Sequence, residues 1–498
     1  MSAAGRNGGT RMNGRPNLLF LYTDEQAVST LAAYGNDLIE MPNLNRLAEQ
    51  STVFAQAYVS QPVCTPSRST LLTGLYPHTN GCVRNNVPLP ATIPCLPELS
   101  GLTQYVTAHM GKWHLGDEVF AQHGFSEWVS IEDMYRQYYS AGRDRSTMSS
   151  YHHFLIENGF APAHGSHFTR QETARLPEQY SKPAFLAREA SRFIQEHKNT
   201  LFLLYVNFLE PHMPFFGPRD SQYDPANVPL PANYGAVPGP DQSVKARLLK
   251  EHYYRHGHSG LPLKTDDDWR RIIANYWGLC SLVDTYVGVI LDTLEQCGLT
   301  DNTIIVFTSD HGDMMGAHHL LTKCLMFEEA VRVPLFIKLP EQKRGTRVPG
   351  PVSQIDLVPT LLDLLGVSRP GHLQGQSVRP RMEDPSRTAG PVVIEWNGPV
   401  VGLTRPDETV MIEDWMLNYG DPDTIRAAVS DPVRTVITPE GWKFTCSPLG
   451  EHELYNLNDD PGETRNLFSS ERGRCRALCD IIADWQRRTG DTVSLPQL

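Results

Sequence analysis

Leu18-Leu19-Phe20-Leu21-Tyr22, running straight into Thr23-Asp24, is an apolar stretch with no alternation of polar and apolar positions. It lacks the period of two expected of a half-exposed strand, so it reads as a strand covered on both faces. Leu201 to Phe208 and Ile304-Ile305-Val306-Phe307 have the same character. Other stretches carry apolar residues at helical spacing. In Pro183 to Lys198, Phe185, Leu186, Ala190, Phe193 and Ile194 form one stripe; Trp269 to Cys297, closed by Gly298, and Ile355 to Leu365 follow the same rule. Buried strands alternating with amphipathic helices predict an α/β fold with a mainly parallel central sheet flanked by helices.

From about Pro380 the pattern changes to short strands broken by Pro, Gly and Asp: Val392 to Trp396, Arg434 to Thr438, Trp442 to Cys446 and Glu453 to Leu457, then a helix from about Ser470 to Arg488. This predicts a smaller antiparallel sheet covered by one helix. The 498 residues therefore divide into a tail over 1–15, a catalytic α/β domain over 16–380 and a C-terminal α+β subdomain over 381–498. The tail, rich in Gly, Asn and Arg and without a small-residue cleavage pattern, reads as disordered and not as a signal peptide.

With 40% hydrophobic and 20% charged residues, the composition excludes collagen-like, coiled-coil and largely disordered classes. The net charge of −12 and the absence of any Lys/Arg block argue against nucleic acid or an anionic membrane as partner. No strongly apolar run approaches the roughly 20 residues of a bilayer span, so no membrane-spanning helix is predicted. Nine scattered cysteines show neither metal-site spacing nor scaffold density, which favours free thiols and a cytoplasmic location. Cys475 and Cys479, one helical turn apart, read as core packing.

Two of the buried strands end alike, one delivering Asp24 and the other Asp310-His311. Polar side chains beyond the carboxyl ends of strands line the crevice of an open α/β sheet, and carboxylates with an imidazole suit a divalent cation. Either Asp taken alone fits a turn or helix cap equally well. In Cys64-Thr65-Pro66-Ser67-Arg68, Pro66 suits a helix start, which places Cys64 near the positive end of a helix, where an anionic group is favoured.

That run, continuing to Leu72-Thr73-Gly74, resembles the sulfatase signature C-x-P-S-R with its trailing L-x-T-G. Further matches fall in family order: Asn17 to Asp24, Gly111-Lys112-Trp113-His114-Leu115-Gly116, Pro211-His212-Met213-Pro214-Phe215, and Ser309-Asp310-His311-Gly312-Asp313 running on through Lys323 to Arg332-Val333-Pro334-Leu335. Glu453-Leu454-Tyr455-Asn456-Leu457 with Asp460-Pro461-Gly462-Glu463 is similar to the family's C-terminal strand and turn.

The resemblance implies an alkaline-phosphatase-like fold and hydrolysis of a small-molecule sulfate ester. It implies that a separate maturation enzyme oxidises Cys64 to formylglycine, and that residue 64, Asp24, Asp310 and His311 hold one divalent metal, Ca²⁺ or, given a nitrogen ligand, Mn²⁺ or Mg²⁺. Glu25 stands where the arylsulfatase pattern has a second Asp, and its place among the ligands is open. Arg68 would hold the aldehyde hydrate, Lys112 and Lys323 would flank the sulfate, and His212 and His114 would move protons during formation and breakdown of a covalent sulfate hemiacetal. Asn85 matches an asparagine that touches substrate in the phosphonate-hydrolase branch, though a loop-ordering role fits as well. His318 and His319 precede Lys323 without an acidic cluster that would make them a second metal site. Phosphonate monoester or phosphodiester hydrolysis at the same apparatus is the alternative activity, and an inactive anion-binding relative the distant one. Specificity is expected from the loops over 131–175 and 217–265, and a homo-oligomer is compatible with the sequence.

Overall fold

A computed structural model describes residues 14–405 and 407–498; most of the predicted tail over 1–15 lies outside them. The central sheet has nine strands: β1 (Asn17–Asp24), β2 (Thr52–Tyr58), β3 (Val106–Gly111), β4 (Glu127–Ser130), β5 (Phe202–Pro211), β6 (Thr303–Ser309), β7 (Arg332–Val333), β8 (Leu335–Lys338) and β9 (Thr346–Ser353). Their order is β4-β3-β5-β1-β6-β8-β2-β7, with β9 beside β2. All eight residues of β1 are buried, because helices cover both faces and leave no solvent side to alternate toward.

Register places the chemistry. β1 runs parallel to β5 (Leu18 opposite Leu203) and to β6 (Leu18 opposite Ile304), and β3 runs parallel to β5. β2 and β6 are both antiparallel to β8 and therefore share a direction. The carboxyl ends of β1, β2, β3, β5 and β6 thus emerge on one edge, which is where an open α/β sheet binds ligands. At the end of β3, Gly111 has φ +120° and lies so close to β5 that a Cβ would sit 1.9 Å from the Asn207 carbonyl oxygen. Only glycine lets the chain turn there and present Lys112.

The helices expected from spacing form at Lys182–Glu196, Asp266–Gln296 and Leu357–Leu364. Asp266–Gln296 corrects one expectation: it is long and apolar enough, by length and composition, to cross a bilayer. Its polar residues Asn275, Ser281 and Asp284 interrupt the apolar run, which is why no long stretch stands out in the sequence. They are buried within the protein, and the Asp284 carboxylate accepts the backbone N–H groups of Asn43 (3.1 Å) and Leu44 (2.7 Å), capping the helix Pro42–Glu49. Most of its apolar window is likewise covered by protein, making it a core helix.

The second sheet is antiparallel, with strands β10 (Val392–Glu395), β11 (Arg434–Ile437), β12 (Trp442–Cys446) and β13 (Glu453–Asn456) in sequential order. The helix Arg472–Thr489 covers it, with Cys475, Leu478, Ile482 and Trp485 on the stripe that meets Val436, Phe444 and Leu454. Cys479, one turn beyond Cys475, lies 3.9 Å from the Cys446 sulfur.

His78, in the short helix Pro77–Asn80, ties that segment to the second sheet and its covering helix. Its Nδ1 bonds the Glu395 carboxylate and its Nε2 donates to the Thr489 carbonyl at 3.3 Å, so both ring nitrogens have acceptors. Burial disfavours the imidazolium, but the bond to Glu395 and its charge outweigh this and raise the His78 pKa above its ordinary value. The resulting stabilisation is complete below the unfolded value of about 6.5 and is lost as pH rises through the higher folded value. The melting-temperature gap between wild type and His78→Gln is therefore expected to narrow as pH is raised from 6 to 9. A gap that stays constant or widens across that range would show that the pair is not ionic.

Candidate active site

Four side chains from three segments meet at the sheet edge. Asp24 ends β1, Asp310 and His311 follow β6, and Cys64 is the first residue of the helix Cys64–Thr73. One donor atom from each lies within 4.8 Å of the others. The Cys64 sulfur is 3.4 Å from His311 Nε2 and 3.8 Å from Asp24 Oδ1, and His311 Nε2 is 3.6 Å from an oxygen of each aspartate. His311 Nδ1 donates to the Gly312 carbonyl at 2.9 Å, which fixes the tautomer with the Nε2 lone pair facing the cluster. Burial lowers the His311 pKa, keeping the ring neutral.

Arg68, one turn after Cys64 and wholly buried, holds the two carboxylates apart and in place. Its Nη2 bonds Asp24 at 2.8 Å and its Nε bonds Asp310 at 2.9 Å, while Nη1 reaches the Lys112 carbonyl and Asn207 Oδ1, both at 2.7 Å. Lys112 also bonds Asp24. Burial works against the Asp24 charge, but Lys112, His212 and Arg68 outweigh it and hold the carboxyl well below the usual range. The Cys64 thiol goes the other way: burial and the Asp24 charge push it above its ordinary value. The helix N-terminus expected to favour an anion is overridden by that burial and by its acidic neighbours.

Glu25 is not one of this quartet; with Asp24 and His212 it forms an adjoining group whose donor atoms also lie within 4.8 Å of one another. Its carboxylate turns toward Lys323 Nζ (3.0 Å) and His212 Nε2 (3.5 Å), and its second oxygen is buried without a hydrogen-bond partner. Burial pushes its pKa up to about 8. His212 donates from Nδ1 to the Met213 carbonyl at 2.8 Å, which leaves the Nε2 lone pair facing Glu25. Burial and Lys323 depress its pKa. His114, held at φ +59°, is fixed by Glu118, whose carboxylate accepts the backbone N–H groups of Trp113 (2.8 Å) and His114 (2.6 Å). Its ring stacks on Tyr135, its Nε2 faces the Asn86 amide oxygen at 2.9 Å, and its Nδ1 is buried without a partner.

Asn85 spends its amide oxygen on the Thr65 N–H at 3.1 Å, at the start of the Cys64 helix. His318 uses both ring nitrogens on Asn233 and the Ala236 carbonyl, and His319 stacks on Tyr234; they hold a loop and form no cluster with the quartet. Sequence reasoning missed Asn86, Glu118, Tyr135, Arg170 and Asn207. Of these, Asn207 carried a signal, being the lone polar residue in the apolar run Leu201 to Leu209, where a buried amide requires partners. A cavity of about 770 Å³ opens beside His212, lined by Arg170, Arg175, Met213, Phe216 and His258 among others. Both loops marked by the sequence contribute to its wall.

The sequence profile described as Sulfatase matches residues 16–367. The chain is 29% identical over 527 residues to the N-acetylglucosamine-6-O-sulfatase of Bacteroides thetaiotaomicron, covering 96% of this chain and 87% of that protein. It is 28% identical over 474 residues to the choline-sulfatase of Rhizobium meliloti, covering 92% and 84%. Among solved structures, the phosphonate monoester hydrolase of Silicibacter pomeroyi superposes with a TM-score of 0.76 at 22% identity, covering 95% of this chain and 96% of that one.

Proposed function

The chain belongs to the sulfatase family, and from that footing we propose that it hydrolyses a sulfate monoester to an alcohol and inorganic sulfate, with residue 64, oxidised to formylglycine by a maturation enzyme, at the centre of the reaction. Its fold is alkaline-phosphatase-like. The observation that carries the reading is the convergence of Cys64 with Asp24, Asp310 and His311 at one buried point, framed by Arg68, Lys112 and Lys323. Incubating matured protein with an aryl sulfate and measuring phenol and sulfate together tests it; release of neither would overturn it.

The donor set fits a divalent cation: two carboxylate oxygens, a neutral imidazole nitrogen with its lone pair directed inward, and the residue-64 side chain. A bound cation supplies Lewis-acid neutralisation of the sulfate oxygens, the largest need of such a reaction. Ca²⁺ is the proposed ion; the nitrogen ligand makes Mn²⁺ and Mg²⁺ the alternatives. The formylglycine hydrate supplies a hydroxyl nucleophile with a second hydroxyl that lets the enzyme release sulfate.

The remaining work falls to side chains already in place. Lys112, kept protonated despite burial by Asp24, and Lys323, kept so by Cys64, Glu25 and Asp24, turn toward an arriving sulfate as preorganised cations. Arg68 fixes the geometry of both aspartates and of residue 64's helix. His114 Nδ1, buried and free of partners, is placed to take the proton of the second hydroxyl. His212 Nε2 delivers a proton to the departing oxygen. Its depressed pKa makes the imidazolium a strong acid, and the charge of bound sulfate favours its protonation.

His212→Ala should therefore slow S–O cleavage of an alkyl sulfate by about 10²–10⁴-fold, and that of a nitrophenyl sulfate, whose phenol leaves nearly unaided, far less. Single-turnover rates on both substrates check this; equal losses would make His212 a positioning residue and Lys323 the better acid. Phosphonate monoester hydrolysis at the same site is the second reading, supported by the fold neighbour named above. Comparing kcat/KM for an aryl sulfate and an aryl phosphonate on one matured preparation separates the two.

A further inference from the structure

We propose that His252, His256 and Glu413 form a second divalent-cation site, of zinc type, that ties the segment leading to Glu413 onto the helix Val244–His256. The two histidines are spaced i, i+4 and so share one face of that helix. One ring nitrogen of each and one Glu413 carboxylate oxygen lie within 4.8 Å of one another, and His256 Nε2 is 3.1 Å from Glu413 Oε1. The rings of His252 and His256 are 4.7 Å apart.

A separate observation points to a missing ligand. His252 Nδ1 is buried and has no hydrogen-bond partner, a costly condition for a polar atom on a ring that has another imidazole and a carboxylate near it. Nearby cations are engaged elsewhere: Arg255 pairs with Glu251 at 2.6 Å and lies over the Trp415 ring, and Lys250 also faces Glu251. Two imidazoles and one carboxylate, with a water completing the tetrahedron, suit Zn²⁺ and not Ca²⁺, which takes six to eight oxygens. Burial and the neighbouring His256 keep His252 below its ordinary pKa, hence neutral and ready to ligate.

The placement gives such an ion something to join. Upstream of Glu413 the same segment carries Glu408, which pairs with Arg84 at 2.7 Å, next in sequence to Asn85. Between the two histidines, Tyr253 points its hydroxyl to Thr322 Oγ1 at 2.8 Å, next to Lys323. A cation held here joins the segment paired with Arg84 to the helix paired with Thr322, without drawing on any of the Cys64 quartet.

Titrating Zn²⁺ into full-length protein already saturated with Ca²⁺, followed by calorimetry, is expected to reveal one zinc equivalent. His252→Ala, His256→Ala and Glu413→Gln should each weaken it by at least about tenfold. Zinc should also slow glutamyl-endopeptidase cleavage after Glu408 in the wild type and not in the variants. Wild-type protein that binds no zinc, or variants that bind it as tightly as wild type, would overturn the proposal. Glu413→Gln preserves side-chain shape at the surface and carries the test should a histidine variant fold poorly.

Discussion

Cys64→Ser is expected to fold normally and to lose turnover of every sulfate ester, on the order of 10⁴-fold or more, as when a covalent nucleophile is removed. The exchange of a thiol for a hydroxyl changes little in packing at a residue only 1% exposed. What it removes is the second hydroxyl of an aldehyde hydrate: a serine sulfate has no route to expel its sulfate except slow hydrolysis. Protein made in a host without the maturation enzyme should behave the same way. Its native thiol is pushed upward by burial and by Asp24 and scarcely ionises at neutral pH. Mass spectrometry of the peptide containing residue 64, paired with turnover on the same preparation, is the decisive measurement. Full activity from protein carrying only unmodified cysteine would sink the assignment.

The second large effect is at Asp310. Its Oδ1 accepts the backbone N–H groups of Glu25 (3.1 Å) and His311 (2.8 Å), and its Oδ2 takes Arg68 Nε. Asp310→Ala deletes a donor of the quartet and leaves the wholly buried Arg68 with Asp24 as its sole carboxylate partner. Metal content and activity should both fall to background, together with up to about 3–5 kcal/mol of stability, the usual cost of removing one partner of a buried ion pair. Asp310→Asn keeps the shape and separates the effects: activity is still lost, while more of the melting temperature is retained. Elemental analysis showing equal metal in wild type and both variants would refute the metal assignment.

The parts legible in the sequence were those with local grammar. The runs at Leu18, Leu201 and Ile304 announced three central strands because burial on both faces erases alternation. The terminal helix was expected over about Ser470 to Arg488 and forms at Arg472–Thr489, where the structure adds the buried stripe Cys475, Leu478, Ile482 and Trp485. The far half of the sheet was less readable. β9 contains Pro349, Gly350 and Pro351 and pairs with β2 through a register shift between Phe54 and Gln56, so neither strand carries a clean pattern. At the site, the quartet could be named because its members sit inside compact motifs. The groups that aim them could not. Glu118, Asn86, Tyr135 and Arg170 are single polar residues whose partners are fixed by loop geometry, and the contacts of Glu25 with Lys323 and His212 arise at a backbone position of positive φ, 69°. Only contact in space distinguishes them from ordinary surface residues.

The pairing of β1 with β6 also sets a clock during synthesis. Cys64 ends up almost inaccessible, yet the wall formed by Asp310 and His311 is added only when β6 docks, roughly 250 residues later along the chain. At about 5–20 residues per second, translation leaves about 12–50 s in which that wall does not yet exist. The proposed maturation enzyme would have to meet a nascent, partly folded chain, so the yield of active protein is expected to depend on the supply of that enzyme relative to the speed of the ribosome. Slowing elongation between codons 64 and 310 should raise the modified fraction, whereas adding the oxidising enzyme to finished protein should not.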